Sequence, residues 1–259
     1  MPCWLRRTIG FTLYLAPLAV LLTAWQLATQ GAPERQFIFS SPLQVGQTFY
    51  DLLLSGELLR HSAVTSFETF VGFVIGTSTG AVIGLSLWYY PSAARIARPY
   101  VVAIGAVPVF ALAPVIIVWF GIGVFSKVMM AALSTVVVAV VQAYEGTMSV
   151  EKRFLRLMDV MGASRAQTFR KVIVPSALVW VVNSMKLNIG LALLGAFIGE
   201  FISAERGLGY LIVRASGLFD MATVFSAIIM LTVIALVLTR GVEWLERRVL
   251  GWRNNNGAG

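Results

Sequence analysis

The ionisable side chains within the apolar stretches of this chain are few, and they limit the chemistry that it could perform. Glu68 stands near the start of one stretch, while Lys186 and Glu200 interrupt another. Acid–base catalysis on a lipid or quinone would need paired carboxylates or histidines inside the membrane. Hydropathy places Glu68 at the edge of its stretch, so we favour a structural role for it there over a proton relay.

The chain lacks the residues that a metal site or a nucleotide-binding site would need. His61 is the only histidine and Cys3 the only cysteine, which excludes a haem or zinc cluster and a disulfide framework within the chain. The sequence contains no Gly-x4-Gly-Lys-Ser/Thr phosphate loop. We therefore expect that the chain holds no metal or cofactor and does not hydrolyse ATP by itself. We expect His61 at the surface and treat Cys3 as incidental.

Composition assigns the chain to the integral membrane proteins. Of its 259 residues, 58% are hydrophobic and 12% are charged, and the mean hydropathy is +0.82. These values are too apolar for a soluble domain of this size. The expected fold class is an all-α membrane protein with six transmembrane helices.

One long stretch, Val150 to Pro175, is too polar to lie in a membrane. Phe154, Met158 and Met161 recur at helical spacing opposite a basic face, which predicts a short amphipathic helix. Gly162 follows, and glycine favours the left-handed position just after a helix. The first helix should therefore end at a sharp corner.

A second helix is predicted directly after this corner. Ser164 and Gln167 have the spacing of a capping box, in which each side chain bonds the backbone of the other. Pro175 disfavours helical geometry in the residue before it, so this helix is expected to end at Val174.

The order of these residues resembles the conserved cytoplasmic loop of ABC importer permeases. The resemblance rests on Gly-Ala-Ser at 162–164 and on the aliphatic residues and proline at 172–175. It extends from roughly Ser66 to Trp252, and it includes WFGIG at 119–123 and RGLGYLI at 206–212. Together these motifs are similar to the nitrate/sulfonate/taurine-type permeases, which have the type I importer fold.

The resemblance implies which residues contact an ATPase subunit. In that family the loop is a coupling helix that docks in a groove of the ATPase and passes its motion to the membrane. One position departs from the family, because Arg156 stands where a Glu-Ala-Ala motif usually begins. The implied coupling residues are Arg156, Asp159, Gly162, Ala163, Ser164, Arg165, Phe169 and Pro175.

The same resemblance implies partners and a substrate class. Two permeases would pair with two ATPase subunits in a bacterial inner membrane, and a soluble binding protein would deliver the substrate. The ATPase, and not this chain, would bind ATP and Mg; no nucleic acid is expected. The substrate would be a small polar anion such as nitrate, a sulfonate or taurine. The alternatives are a pyrimidine or other vitamin precursor and, less favoured, a membrane-embedded enzyme.

The apolar stretches predict three regions along the chain. Arg6 and Arg7 could introduce a signal peptide, but no convincing cleavage site follows, so we expect a retained first transmembrane helix. Ser41 and Pro42 have the pattern of a helix start, and the amphipathic helix after them should lie along the membrane surface. The regions are 1–62 with these two helices, a five-span core with the coupling loop at 149–175 (63–252), and a cytoplasmic tail (253–259). The core spans are predicted at 66–88, 100–120, 128–144, 178–203 and 224–245.

Two sets of glycines have the spacing of close helix packing. In lipid, small residues four positions apart let two helix backbones approach, so that van der Waals contact can hold the helices together. We therefore expect packing ridges at Gly72, Gly76, Gly80 and Gly84 and at Gly195 and Gly199.

Helix breakers and polar residues mark a possible translocation path. Pro108 and Pro114 break the third span, which either exposes backbone to a cavity or merely fits the packing. Asn183 and Lys186 share one helical face of the fifth span, and Lys186 either faces a path or extends to the headgroups. The candidate path residues are Pro108, Pro114, Asn183, Lys186, Asn188 and Glu200.

The basic residues of the short loops predict the orientation in the membrane. The side of the predicted helix pair carries 14 Lys and Arg residues, and the other side carries 5. Because cytoplasmic loops are enriched in Lys and Arg, the helix pair and both termini should face the cytoplasm. The net charge of +8 is therefore mainly a topology signal.

Overall fold

The computed structural model describes residues 3–31 and 33–250. The side chains of Cys3, Arg6 and Arg7 and the tail predicted at 253–259 lie outside the described part. Within it the regular structure is entirely helical. The α-helices are α1 (Cys3–Thr29), α2 (Pro33–Phe39), α3 (Pro42–Leu54), α4 (Glu57–Tyr89), α5 (Pro91–Gly105), α6 (Ala113–Phe120), α7 (Val124–Met148), α8 (Lys152–Val160), α9 (Arg165–Thr168), α10 (Val174–Ile202), α11 (Leu208–Gly217) and α12 (Met221–Val249).

Four helical segments of the described residues are long and apolar enough to cross a membrane. They are α4, α7, α12 and the continuous segment Arg165–Ile202 that ends with α10. A fifth span would consist of α5 and Val109–Phe120, which are bent by 88° relative to each other. The part of α1 whose side chains the structure describes, Ala16–Thr29, is apolar, and by itself it does not test the predicted first span. The count of six transmembrane helices stays a prediction.

The predicted break in the third span is present, but this span begins earlier than expected. Pro108 lies in the break itself, just before a 3₁₀ turn, and Pro114 lies after it, in the first turn of α6. The stretch 89–98, which was expected to be a loop, is largely helical, because Pro91 stands at the start of α5, where the missing proline N–H costs nothing. Basic residues such as Arg95 do not end a helix by themselves.

The centre of the bundle is formed by α4, α7 and α10, which pack against one another. The four glycines of α4 lie against α7. A Cβ at Gly72 would stand 2.8 Å from the carbonyl oxygen of Val128, and one at Gly80 would stand 2.5 Å from that of Val136. Gly195 of α10 approaches α7 in the same way from a neighbouring side, since a Cβ there would stand 2.7 Å from the carbonyl oxygen of Met130. Small residues therefore set the distance between the three helices.

A second apolar cluster joins α11 and α12 to the start of α4. Leu58, Leu208 and Leu211 are buried in it together with residues of α12. The short helix α3 packs on α12, and Ser41 caps it by accepting a hydrogen bond from the Gln44 N–H at 3.3 Å. This packing holds the loop between α10 and α11 against α4.

The helix that follows the predicted corner does not end at Val174, as the sequence had suggested. It continues through a π-helical turn, Phe169–Ile173, into α10. Pro175 lies in the first turn of α10, where its ring and missing N–H disturb the preceding turn. The wider π turn accommodates this proline without breaking the helix.

Candidate functional site

The sharp corner predicted at Gly162 is present between α8 and α9. Gly162 has a φ of +68°, and the Ala163 N–H donates to the carbonyl oxygen of Met158 at 2.9 Å. Ser164 and Gln167 form a reciprocal capping box, with bonds of 3.3 Å and 2.7 Å. We call residues 152–168 the corner. Local sequence alone determines its shape.

The apolar face of α8 points away from the rest of the chain. Phe154 and Met161 of the predicted apolar face are exposed, because no other element of the described chain covers this side. The exposed fractions are 43% for Phe154, 55% for Leu157, 86% for Val160 and 71% for Met161. The corner therefore presents an uncovered apolar surface.

The opposite side of the corner is held to the end of α4 by aromatic contacts. Phe169 stacks on Trp88 with ring centroids 5.5 Å apart and meets Tyr89 edge-on at 5.7 Å. The Arg165 guanidinium lies over both rings, at 5.6 Å from Trp88 and 5.1 Å from Tyr89, and donates to the Trp88 carbonyl oxygen at 3.4 Å. We call these four residues the aromatic clamp. Trp88 and Tyr89 were not predicted as site residues, although aromatic residues at a span end are a known signal of a membrane boundary.

A cavity of about 460 Å³ lies between the corner and Trp88. Of the predicted coupling residues, Arg156, Asp159, Ala163 and Arg165 line it. Pro175 does not belong to this group, because it lies beyond the π turn at the start of α10. Half of the eight predicted coupling residues therefore line one accessible cavity.

The other end of the bundle contains a buried polar cluster that the sequence did not predict. We call it the Glu200 cluster; its members are His61, Thr65, Glu68, Lys127 and Glu200. The loop after α10 and the first residues of α11 close it through three backbone N–H groups. Gly207 donates to His61 Nδ1 at 3.0 Å, Leu208 to Thr65 Oγ1 at 2.9 Å, and Gly209 to Glu200 Oε2 at 2.7 Å.

His61 is buried and not at the surface as expected. Its side chain is 5% exposed, and because Nδ1 accepts the Gly207 N–H, its proton is assigned to Nε2. Thr65 donates to Glu200 Oε1 at 2.6 Å. Polar residues at 61, 65 and 68 share one face of α4, and this stripe is the signal that could have revealed the cluster.

Glu68 and Lys127 are buried in the same cluster. Glu68 was expected at the membrane edge, but its carboxyl group contacts that of Glu200, 132 positions further along the chain. Lys127 lies in the first turn of α7 and donates to the carbonyl oxygen of Ile122. The pair of carboxylates that an acid–base site would need is therefore present, but both oxygens of Glu200 already accept hydrogen bonds.

The residues predicted to line a path are spread over the bundle. Asn188 is buried and donates to Thr77 Oγ1 at 3.3 Å, whereas Asn183 is exposed. Lys186 forms an ion pair of 2.7 Å with Glu246 of α12. Among the described residues no group of three His, Cys, Asp or Glu side chains is placed to hold a metal ion.

Three curated relatives resemble the chain over most of its length. The riboflavin transport system permease protein RibX of Chloroflexus aurantiacus is 34% identical over 91% of this chain and 88% of the relative. The formylaminopyrimidine transport permease protein ThiX of Halalkalibacterium halodurans is 30% identical, over 90% and 93%. The taurine transport system permease protein TauC of Escherichia coli is 29% identical, over 93% and 90%.

Solved structures share the fold at low sequence identity. A chain of the inward-facing MetNI methionine ABC transporter has a TM-score of 0.62 and 18% identity over 77% of this chain and 97% of that chain. A chain of a bacterial ABC transporter involved in the import of alginate has a TM-score of 0.62 and 15% identity, over 94% and 98%. The fold is therefore that of the type I ABC importer permeases. The model of the binding-protein-dependent transport system inner membrane components matches residues 71–251, and the chain belongs to this family.

Proposed function

We propose that this chain is the membrane-spanning permease subunit of an ATP-driven importer, and that the corner is where an ATPase subunit docks. The observation that carries the proposal is the uncovered apolar face of α8, with Val160 86% exposed at the end of the helix. An amphipathic helix that offers its apolar face outside the bundle is suited to a groove in a partner protein.

Motion at the corner would reach the membrane by two routes. The aromatic clamp joins Phe169 and Arg165 to the end of α4, and the π turn continues without a break into α10. Both α4 and α10 pack closely on α7. A displacement of the corner should therefore move all three central helices, since packed helices shift together and do not deform independently.

The complete importer would contain two copies of this permease, two ATPase subunits and a binding protein on the opposite side. The ATPase subunits would bind ATP and Mg. The difference of 14 to 5 basic loop residues supports a cytoplasmic corner with both termini on the same side of the inner membrane.

The solute is proposed to be a small polar anion such as nitrate, a sulfonate or taurine. The similarity to a taurine permease supports this class. The similarity to riboflavin and formylaminopyrimidine permeases supports the alternative, a vitamin or vitamin precursor. Uptake of an uncharged pyrimidine, without uptake of any anion, would favour the alternative.

A charge placed on the apolar face of α8 tests the docking surface. Val160→Glu changes a side chain that contacts almost nothing in the chain, so the permease should still fold and insert. We expect the amount of ATPase that co-purifies with it to fall about tenfold, because docking would bury the new charge. Leu54→Glu, at a position 69% exposed at the other end of the bundle, is the matched control. Parental co-purification and transport in Val160→Glu would refute the docking role of the corner.

A further inference from the structure

The end of the bundle opposite the corner holds a cavity lined by charged side chains. It has a volume of about 310 Å³ and lies between the turn before α7 and the loop after α10. The lining residues that matter here are Glu68, Lys127, Glu205, Arg206, Val64 and Ile122. The cavity adjoins the Glu200 cluster, because Glu68 and Lys127 belong to both.

Glu68 offers the cavity an acceptor that has no donor. Its side chain is 2% exposed, and its Oε2 atom has no hydrogen-bond partner among the residues that the structure describes. A buried carboxylate oxygen without a donor is costly, since it has lost its water and gained nothing in return. The oxygen is therefore poised for a donor that enters the cavity.

The neighbours of Glu68 do not supply this donor. Both oxygens of Glu200 accept hydrogen bonds from elsewhere, at 2.6 Å and 2.7 Å, and a carboxylate cannot donate. The Lys127 ammonium donates to the carbonyl oxygen of Ile122, and in the described part of the chain it forms no ion pair with Glu68. The carboxyl groups of Glu68 and Glu200 share a proton when no ligand is bound, and the ammonium group of a ligand would take the place of that proton as it is released.

The remaining lining residues narrow the class of ligand. Arg206 and Lys127 are positive and Glu205 is negative, so the cavity presents both signs of charge. A simple anion would meet the carboxylates of Glu68 and Glu205. No aromatic side chain is among the lining residues, so a flat pyrimidine or flavin ring would find no stacking partner. A small molecule with both an ammonium group and an anionic group would find side chains of opposite charge for each group in this cavity.

We propose that this cavity binds a small zwitterion, with Glu68 accepting hydrogen bonds from its ammonium group and Lys127 and Arg206 facing its anionic group. The inference rests on the proposed transport function, because a site at this end of a permease would select the solute that enters from the binding protein. Among the proposed solutes it narrows the class to zwitterions such as taurine and excludes simple anions such as nitrate. A charge-assisted hydrogen bond to Glu68 should give most of the discrimination against solutes that lack an ammonium group.

Equilibrium dialysis of the purified transporter complex, without the binding protein, tests this site with defined probes. Taurine and β-alanine carry both charges, ethanesulfonate lacks the ammonium group, and ethylamine lacks the anionic group. We expect at least one of the two zwitterions to bind, and the two probes with a single charge to bind about tenfold more weakly.

Two variants of the cavity sharpen the test. Glu68→Gln keeps the side-chain size and removes the charge, so zwitterion affinity should fall about tenfold while ethanesulfonate affinity is unchanged. Glu34→Gln is the same change on the exposed surface of α2 and should alter neither. Arg206→Gln changes an exposed loop residue that the fold does not require, and it should weaken zwitterions and ethanesulfonate alike.

Three results would overturn the inference: no binding of taurine or β-alanine, equal affinity for all four probes, or unchanged zwitterion affinity in both folded cavity variants. If Glu68→Gln does not fold, Arg206→Gln decides by itself. If ATPase co-purifies with the permease but the cavity binds no probe, only the cavity proposal fails and the proposed transport function is unaffected. A complex without any ATPase would refute the transport function instead.

Discussion

Gly162 and Gly207 lie at opposite ends of the bundle, and they share a backbone conformation but not an environment. Their φ angles are +68° and +110°, in the region that favours glycine. A Cβ at Gly162 would meet no atom within 4 Å, whereas a Cβ at Gly207 would overlap the carboxyl group of Glu200. Backbone strain alone demands glycine at the corner, while contact demands it as well at the Glu200 cluster.

The two ends of the bundle also differ in how far their residues are buried. The corner leaves Val160 and Met161 uncovered, whereas Glu200 and Lys127 are only 1% and 2% exposed. About 35 Å of α4 separates Thr65 from Trp88, at 1.5 Å per residue. The chain thus completes one end of the bundle with its own loop, whereas the apolar face at the other end is covered by no part of the described chain.

The largest effect should come from Gly207→Val. This change combines backbone strain with overlap of the buried Glu200, and we expect a loss of about 4 kcal/mol in folding stability. Gly162→Val should cost only about 1 kcal/mol, because it adds strain without overlap, yet it should uncouple ATP hydrolysis from transport. Thermal unfolding in detergent compares the two. Equal unfolding temperatures of the two variants would contradict the claim that contact requires glycine at one end of the bundle only.

Gly80→Leu should have the next largest effect. Gly80 has an ordinary helical φ, so contact with α7 is the only reason for a glycine there, and the new side chain should cost about 3 kcal/mol. Gly190→Leu is the matched control, since a Cβ at Gly190 meets nothing within 4 Å. Unfolding temperatures of both variants measure the effect. If Gly80→Leu were as stable as Gly190→Leu, the close contact between α4 and α7 at Gly80 would be contradicted.

Trp88→Leu should have a smaller effect on stability and a clear effect on coupling. It removes the stacking of Phe169 and the Arg165 contact, worth about 1 kcal/mol. We expect ATPase to remain bound, with hydrolysis no longer stimulated by substrate and binding protein. Trp244→Leu, an exposed tryptophan on α12, controls for the loss of an indole ring. Normal stimulation in Trp88→Leu would leave α10 as the only route of coupling.

The smallest effect is expected for Lys186→Met. Its ion pair with Glu246 is partly exposed, so its loss should cost about 0.5 kcal/mol. Because this pairing provides a structural role for Lys186, transport should continue at close to the parental rate, as expected if the lysine lies outside the pathway. A large loss of transport in Lys186→Met would indicate that this residue does line the translocation path. The doubly exchanged variant Lys186→Glu with Glu246→Lys would then show whether the pair or the position matters.

Sequence reasoning succeeded where a feature depends on nearby residues. The capping box of Ser164 and Gln167 joins residues three apart, and the left-handed turn of Gly162 needs only that glycine. It failed at Pro175, because the rule that proline ends a helix did not anticipate the π turn that accommodates it. It also failed at His61 and Glu68, whose partners Gly207 and Glu200 lie more than 100 residues later in the chain.

The sequence by itself determined the membrane class, the corner and the glycine spacing. These follow from hydropathy, from bonds between residues within one or two helical turns, and from a four-residue period, all of which are local properties of a chain. Only the tertiary structure decided that Trp88 holds Phe169, that Lys186 pairs with Glu246, and that Glu68 meets Glu200. Each of these contacts joins different helices, and their relative positions depend on how all the helices pack together, which no local pattern encodes.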